Sequence, residues 1–122
     1  MKGSSSFLQS FGNAIRGIQH SLKTQRNMRI HGIAALAVVI AGFYFHVSMT
    51  DWCLLAITTG LVLVSEIINT ALETLVDLVS PDYHPKAGLV KDMAAGAVLV
   101  SAIISVIVAM IIFLPRLLQC VS

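Results

Sequence analysis

Three long apolar runs, over residues 30–47, 52–79 and 88–114, constrain this chain more than any other feature. A helix needs about 20 apolar residues to cross the hydrocarbon of a bilayer. The first run, of 18 residues, just reaches that length, and residues 93–114 form 22 positions without a charge. A water-soluble globule is excluded on the same ground. The chain has 122 residues, 57% hydrophobic and 11% charged, and a domain that short has too much surface to hide so much apolar material from water. The expected fold is therefore an all-α membrane protein, one domain over residues 1–122. The formal charge of +2 is too small to suggest a nucleic-acid partner.

The segments between the runs set the topology. Phe7, Leu8, Phe11, Ile15, Ile18 and Leu22 recur at helical spacing, with Gln9, Asn13, Arg16, Gln19, His20 and Lys23 opposite. This pattern predicts an amphipathic helix over about residues 5–25, lying in the membrane interface. Residues 1–29 lack the continuous apolar stretch of a cleavable leader, so this segment is expected to remain part of the working protein. Asp51 and Trp52 mark a turn and an interface anchor. Ser80, Pro81, Asp82, His84, Pro85 and Gly88 form the stretch richest in breakers. Pro115 is expected to close the third span.

Charge orients these elements. Lys2, Arg16, Lys23, Arg26 and Arg29 precede the first span, and Lys86 and Lys91 lie in or beside the second loop. An excess of Lys and Arg marks cytoplasmic segments, so the N-terminus and the 80–91 loop are expected in the cytoplasm. Arg116 departs from the pattern. Cys53 and Cys120 form neither a disulfide framework nor a zinc motif and read as small buried apolar fillers. His20, His31 and His46 read as interfacial or packing residues.

The middle run contains what a passive anchor should lack. Glu66, Asn69, Glu73 and Asp77 are spaced by three, four and four, which places them within an arc of roughly 80° on one helix face. A carboxylate inside a spanning helix costs several kcal/mol, so such residues face a protein interior or a watery cavity and act there. Counted from Trp52, Glu66 lies about 21 Å along the helix and Asp77 about 37 Å. The stripe therefore runs from the inner half of the hydrocarbon towards the cytoplasmic headgroups. Lys91 and Asp92 enter from that same side, with Asp82, Tyr83 and His84 in the loop between.

Such an arrangement suits a reaction between a soluble anion and a lipid headgroup. Carboxylates can hold Mg²⁺ on a polyphosphate, a lysine can neutralise transferred charge, and a deeper glutamate can take a proton from a lipid hydroxyl. A transport site would more naturally sit near the midplane, between inverted repeats or broken helices. The stripe by itself leaves three classes open: an enzyme, a small ion or proton carrier, and an assembly scaffold.

The segments EIINTALETLVDL (66–78) and DYHPKAGLVKDMAAGAVLV (82–100) resemble the signature of the small prokaryotic integral-membrane lipid kinases, the diacylglycerol kinase and undecaprenol kinase family. The resemblance runs from about Phe11 to Pro115 and uses neither a P-loop nor a Gly-rich kinase loop. It implies a homotrimer of three-span subunits with active sites shared between neighbours, transferring the γ-phosphate of MgATP to a lipid alcohol. By that resemblance Glu66 is the general base, supported by Asn69. Glu73 ligates the metal and contacts ATP, and Asp77 lies at the nucleotide. Asp82, Tyr83 and His84 match the ATP-contacting loop, and Lys91 and Asp92 the pair that meets the phosphates.

One position departs from the family pattern. Where the family carries a glutamate before the first span that helps hold metal, this chain reads Thr24-Gln25-Arg26-Asn27. The Gln25 amide oxygen can still ligate a hard cation, without a charge, so weaker metal binding or the absence of a second metal is expected. Arg26-Asn27-Met28-Arg29-Ile30-His31 and Tyr83-His84-Pro85-Lys86-Ala87 look more like the undecaprenol branch than the diacylglycerol branch, which stays the alternative.

Overall fold

The computed structural model describes residues 3–122; Lys2, counted above among the N-terminal cations, lies outside them. The described chain forms four helices: α1 (Gly3–Thr24), α2 (Arg26–Tyr44), α3 (Met49–Val79) and α4 (Pro85–Val121). Helices α2, α3 and α4 are each long and apolar enough to cross a membrane. At about 1.5 Å per residue, the 31 residues of α3 and 37 of α4 exceed the hydrocarbon thickness, so both project beyond it.

Each break has a local cause. Gln25 adopts extended backbone between α1 and α2, and the Arg29 guanidinium donates to the carbonyls of Leu22 and Lys23, both at 2.9 Å. Those carbonyls belong to the last turn of α1, which has no helical partner for them. The α2–α3 turn lies at residues 45–48, ahead of the expected position at Asp51 and Trp52. His46 takes a positive φ of 53° there, and Ser48 caps α3 by accepting from the Asp51 backbone N–H at 3.1 Å. The Ser48-x-x-Asp51 pattern is a helix start, so Asp51 and Trp52 belong to the first turn of α3.

Pro115 does not close the third span; α4 continues through it to Val121. Proline removes one backbone donor, and membrane helices tolerate the loss when other groups supply bonds nearby. The next residue, Arg116, anchors this stretch, donating from Nη1 to the Ile112 carbonyl at 2.5 Å and from Nη2 to Asp51 at 2.9 Å. The ion pair explains the dissenting cation, whose charge is matched on the same side by Asp51. Both cysteines are exposed rather than buried fillers, since each lies on the outward face of its helix.

Helices α3 and α4 form the most extensive contact, α2 packs on α3, and α1 touches α2 and α3 more lightly. An apolar cluster of Val47, Leu55 and Ile112, flanked by Phe45, Trp52 and Phe113, closes the end bearing the α2–α3 turn. Further along the bundle the interior turns polar, with Thr58, Glu66, Asn69, Thr70 and Ser101 buried. Ile33, Leu36, Ile57 and Ile111 meanwhile face outward. Polar residues inside and aliphatic ones outside is the distribution expected where lipid, not water, is the solvent.

Candidate active site

Burial along α3 converts the predicted stripe into a graded channel of polar groups. Glu66 is 1% exposed and Asn69 6%, Glu73 is half-buried, and the Asp77 side chain is 67% exposed. The rise from Glu66 to Asp77 is about 16 Å of helix, leading from sealed interior to open surface.

The sealed end is under-satisfied. Neither carboxylate oxygen of Glu66 has a hydrogen-bond partner, and the same holds for Asn69 Oδ1. Buried polar atoms are ordinarily paired, and an unpaired one marks a strain reservoir, a catalytic role or a missing ligand. Surrounding donors are already committed. Thr70 Oγ1 donates to the Glu66 backbone carbonyl at 3.0 Å, Ser65 and Ser101 bond each other at 3.0 Å, and Asn69 Nδ2 donates to Glu73 Oε1 at 3.1 Å.

His31, an interfacial or packing residue by its sequence, stands beside the buried acid. Its Nε2 lies 3.9 Å from Glu66 Oε2. No spacing rule links the two, because they come together only when α2 packs on α3.

At the open end Lys91 Nζ meets Asp77 Oδ1 at 2.6 Å, joining α4 to α3. Asp82, Tyr83 and Asp92 are exposed nearby, Tyr83 to 89%. His84 caps α4: its Nδ1 accepts from the Lys86 backbone N–H at 3.1 Å, which leaves Nε2 as the nitrogen available to a ligand. Gln25 stands at the α1–α2 elbow, half-buried, and makes no side-chain cap bond.

The described residues contain no cluster of three or more His, Cys, Asp or Glu able to hold a metal. Mg²⁺ in other sites is commonly held by one or two protein oxygens, with phosphates and water completing its shell. The Glu73 carboxylate and the unpartnered Asn69 Oδ1 are hard donors of that kind, one turn apart on a shared face.

Beside the stripe lies an open groove of about 690 Å³ between α1 and α3. Ala14, Gly17, Ile67 and Ala71 are among its mostly small or apolar lining residues, with His20, Ser21, Thr70 and Thr74 as the polar ones. It adjoins the buried acid through Thr70 and Ile67.

Comparison with known proteins agrees with this chemistry. The description "Prokaryotic diacylglycerol kinase" belongs to the family whose profile matches residues 12–113. The undecaprenol kinase of Bacillus subtilis (strain 168) is 44% identical over 111 residues, covering 91% of this chain and 90% of that one. A diacylglycerol kinase of Synechocystis is 45% identical over 113 residues, covering 92% of this chain but 65% of the relative. The diacylglycerol kinase of Escherichia coli (strain K12) is 30% identical over 105 residues, 86% of each chain. A carrier or scaffold without chemistry gives way to an enzyme, and this multi-pass chain belongs to the prokaryotic diacylglycerol kinase family of membrane lipid kinases.

Proposed function

We propose that the protein transfers the γ-phosphate of ATP to undecaprenol at the cytoplasmic face of the membrane. The observation that carries this reading is the buried, unpartnered Glu66 carboxylate at the inner end of a polar stripe that opens at Asp77 and Lys91. Glu66 accepts the proton of the lipid hydroxyl. The lipid oxygen bonds to the γ-phosphorus as the bond from that phosphorus to the ADP oxygen breaks, and the proton leaves the lipid on Glu66. Asn69 orients the reacting headgroup and shares the metal position with Glu73. Bound Mg²⁺ supplies neutralising charge on the phosphate oxygens. Asp77, Asp82, Tyr83, His84, Lys91 and Asp92 hold the nucleotide, with Lys91 drawn from Asp77 towards the phosphates.

Lipid enters along the groove between α1 and α3, with α1 as an amphipathic helix in the interface whose Phe7, Leu8 and Phe11 side chains reach into the bilayer. The cationic N-terminal segment faces the cytoplasm. Sites are shared between the subunits of a homotrimer, and a neighbouring chain completes each one. Undecaprenol is favoured because the relative of that name matches over nearly all of both chains. Diacylglycerol is the second reading, supported by the Synechocystis relative, which is 45% identical over 92% of this chain but only 65% of its own length.

The test is transfer from labelled ATP in mixed micelles, with undecaprenol and diacylglycerol offered in parallel. Phosphorylation of undecaprenol at the higher kcat/KM, abolished by Glu66→Gln in a protein that keeps its assembly state, is the expected result. Undiminished transfer in that variant removes Glu66 as the base. Preference for diacylglycerol reverses the choice of lipid.

A further inference from the structure

Beyond the roles given to the α3 stripe, we propose that His31 is a positioning residue for Glu66, donating from Nε2 to hold the carboxylate in the orientation that receives the lipid proton. The inference rests on the reading of Glu66 as the base. Three observations carry it.

A carboxylate sealed from solvent with both oxygens unpartnered is costly, and a nearby donor would relieve that cost. The donors beside it are engaged elsewhere: Thr70 with a backbone carbonyl, Ser65 and Ser101 with each other, and the Asn69 amide with Glu73. His31 Nε2 is the basic nitrogen within 4 Å of it among the described residues.

The 3.9 Å separation exceeds a hydrogen bond by about 1 Å, and the surroundings allow that gap to close. His31 borders a cavity of about 170 Å³ between α2, α3 and α4, lined also by Ala34, Thr59, Val62, Ala102 and Ser105. Small side chains and two hydroxyls leave the imidazole room to turn. Catalytic hydrogen bonds that are long in an unliganded site commonly tighten when substrate binds.

The backbone that carries His31 is held in register. Arg29, two residues earlier, grips the end of α1 through the Leu22 and Lys23 carbonyls. The elbow that admits lipid beside α1 therefore also sets where the imidazole stands relative to α3.

Steady-state kinetics on the full chain in mixed micelles separates this role from simple packing. His31→Ala should lower kcat at least about tenfold with the KM values for ATP and lipid within about twofold. His31→Gln, whose amide can still donate, should recover a substantial part of that loss. In a Glu66→Asp background, where the carboxylate is withdrawn by one methylene, His31→Ala should cost clearly less than in the native chain. An unchanged kcat in His31→Ala while Glu66→Gln is dead overturns the positioning role and leaves the base intact. A loss that His31→Gln does not restore, with a lowered melting temperature, also overturns it and makes His31 a packing residue. An active Glu66→Gln overturns both assignments together.

Discussion

Asn69 engages Glu73, one helical turn away, with only one end of its amide: Nδ2 donates to Glu73 Oε1 at 3.1 Å, while Oδ1 is buried without a partner. The bond fixes the amide orientation, leaving its oxygen as an open donor to a cation beside the Glu73 carboxylate. Glu73→Gln removes the charge from this pair and should raise the Mg²⁺ concentration for half-maximal activity about tenfold or more. Gln25→Glu should lower it by adding a carboxylate at the α1–α2 elbow. Titration of activity with Mg²⁺ at saturating ATP checks both, and a flat response to Gln25→Glu would place that residue away from the metal.

Lys91 and Asp77 form a short pair at an exposed site, and exposed ion pairs add little to stability because water and salt screen them. A purely structural role therefore predicts almost nothing on mutation. Lys91→Met should leave the melting temperature in detergent nearly unchanged while reducing kcat/KM for ATP by about a hundredfold or more, as expected for a charge that meets phosphate. Thermal unfolding and ATP kinetics on the same preparation separate the two effects.

Much of this was legible in the sequence because bilayer thickness fixes the length of an apolar run and helical period fixes which residues share a face. The α3 stripe needed nothing more. Features that depend on contact between helices were hidden: His31 meets Glu66 only through the packing of α2 on α3. Pro115 sits inside α4 because the rule that proline ends helices weakens in membrane helices, where neighbouring groups can satisfy the freed backbone. The turn before α3 was displaced because Asp51 was read as a loop residue, although Ser48 stands three positions earlier as its cap. His84 falls in the nucleotide loop by resemblance alone, and its capping of α4 through Nδ1 needed the folded turn to be seen.

Gly17 lines the groove between α1 and α3, and a Cβ added there meets nothing within 4 Å, with the open groove ahead of it. Gly17→Phe should thus be accepted by the fold and occupy the space assigned to the lipid. It should raise KM for lipid several-fold, leave KM for ATP unchanged, and affect the bulkier acceptor more. Kinetics in mixed micelles with each lipid varied in turn would reveal it. Equal effects on ATP and lipid would move the acceptor out of this groove.

Gly42 and Trp52 hold α2 against the start of α3 at a distance no larger residue permits. A Cβ on Gly42 would stand 2.4 Å from Cη2 of the indole and within 2.9 Å of two further ring carbons. The ring cannot simply swing aside, because it also packs against Phe43 at a centroid distance of 4.9 Å and flanks the Val47, Leu55 and Ile112 cluster. Overpacking of this kind costs about 1–3 kcal/mol, so Gly42→Ala should lower the thermal midpoint in detergent measurably. Trp52→Leu removes favourable packing by itself, yet it also removes the obstruction. The double variant should be more stable than the sum of the two losses predicts. Strict additivity would mean that α2 and α3 separate enough to absorb the methyl group, and that the close approach is not what holds this end of the bundle.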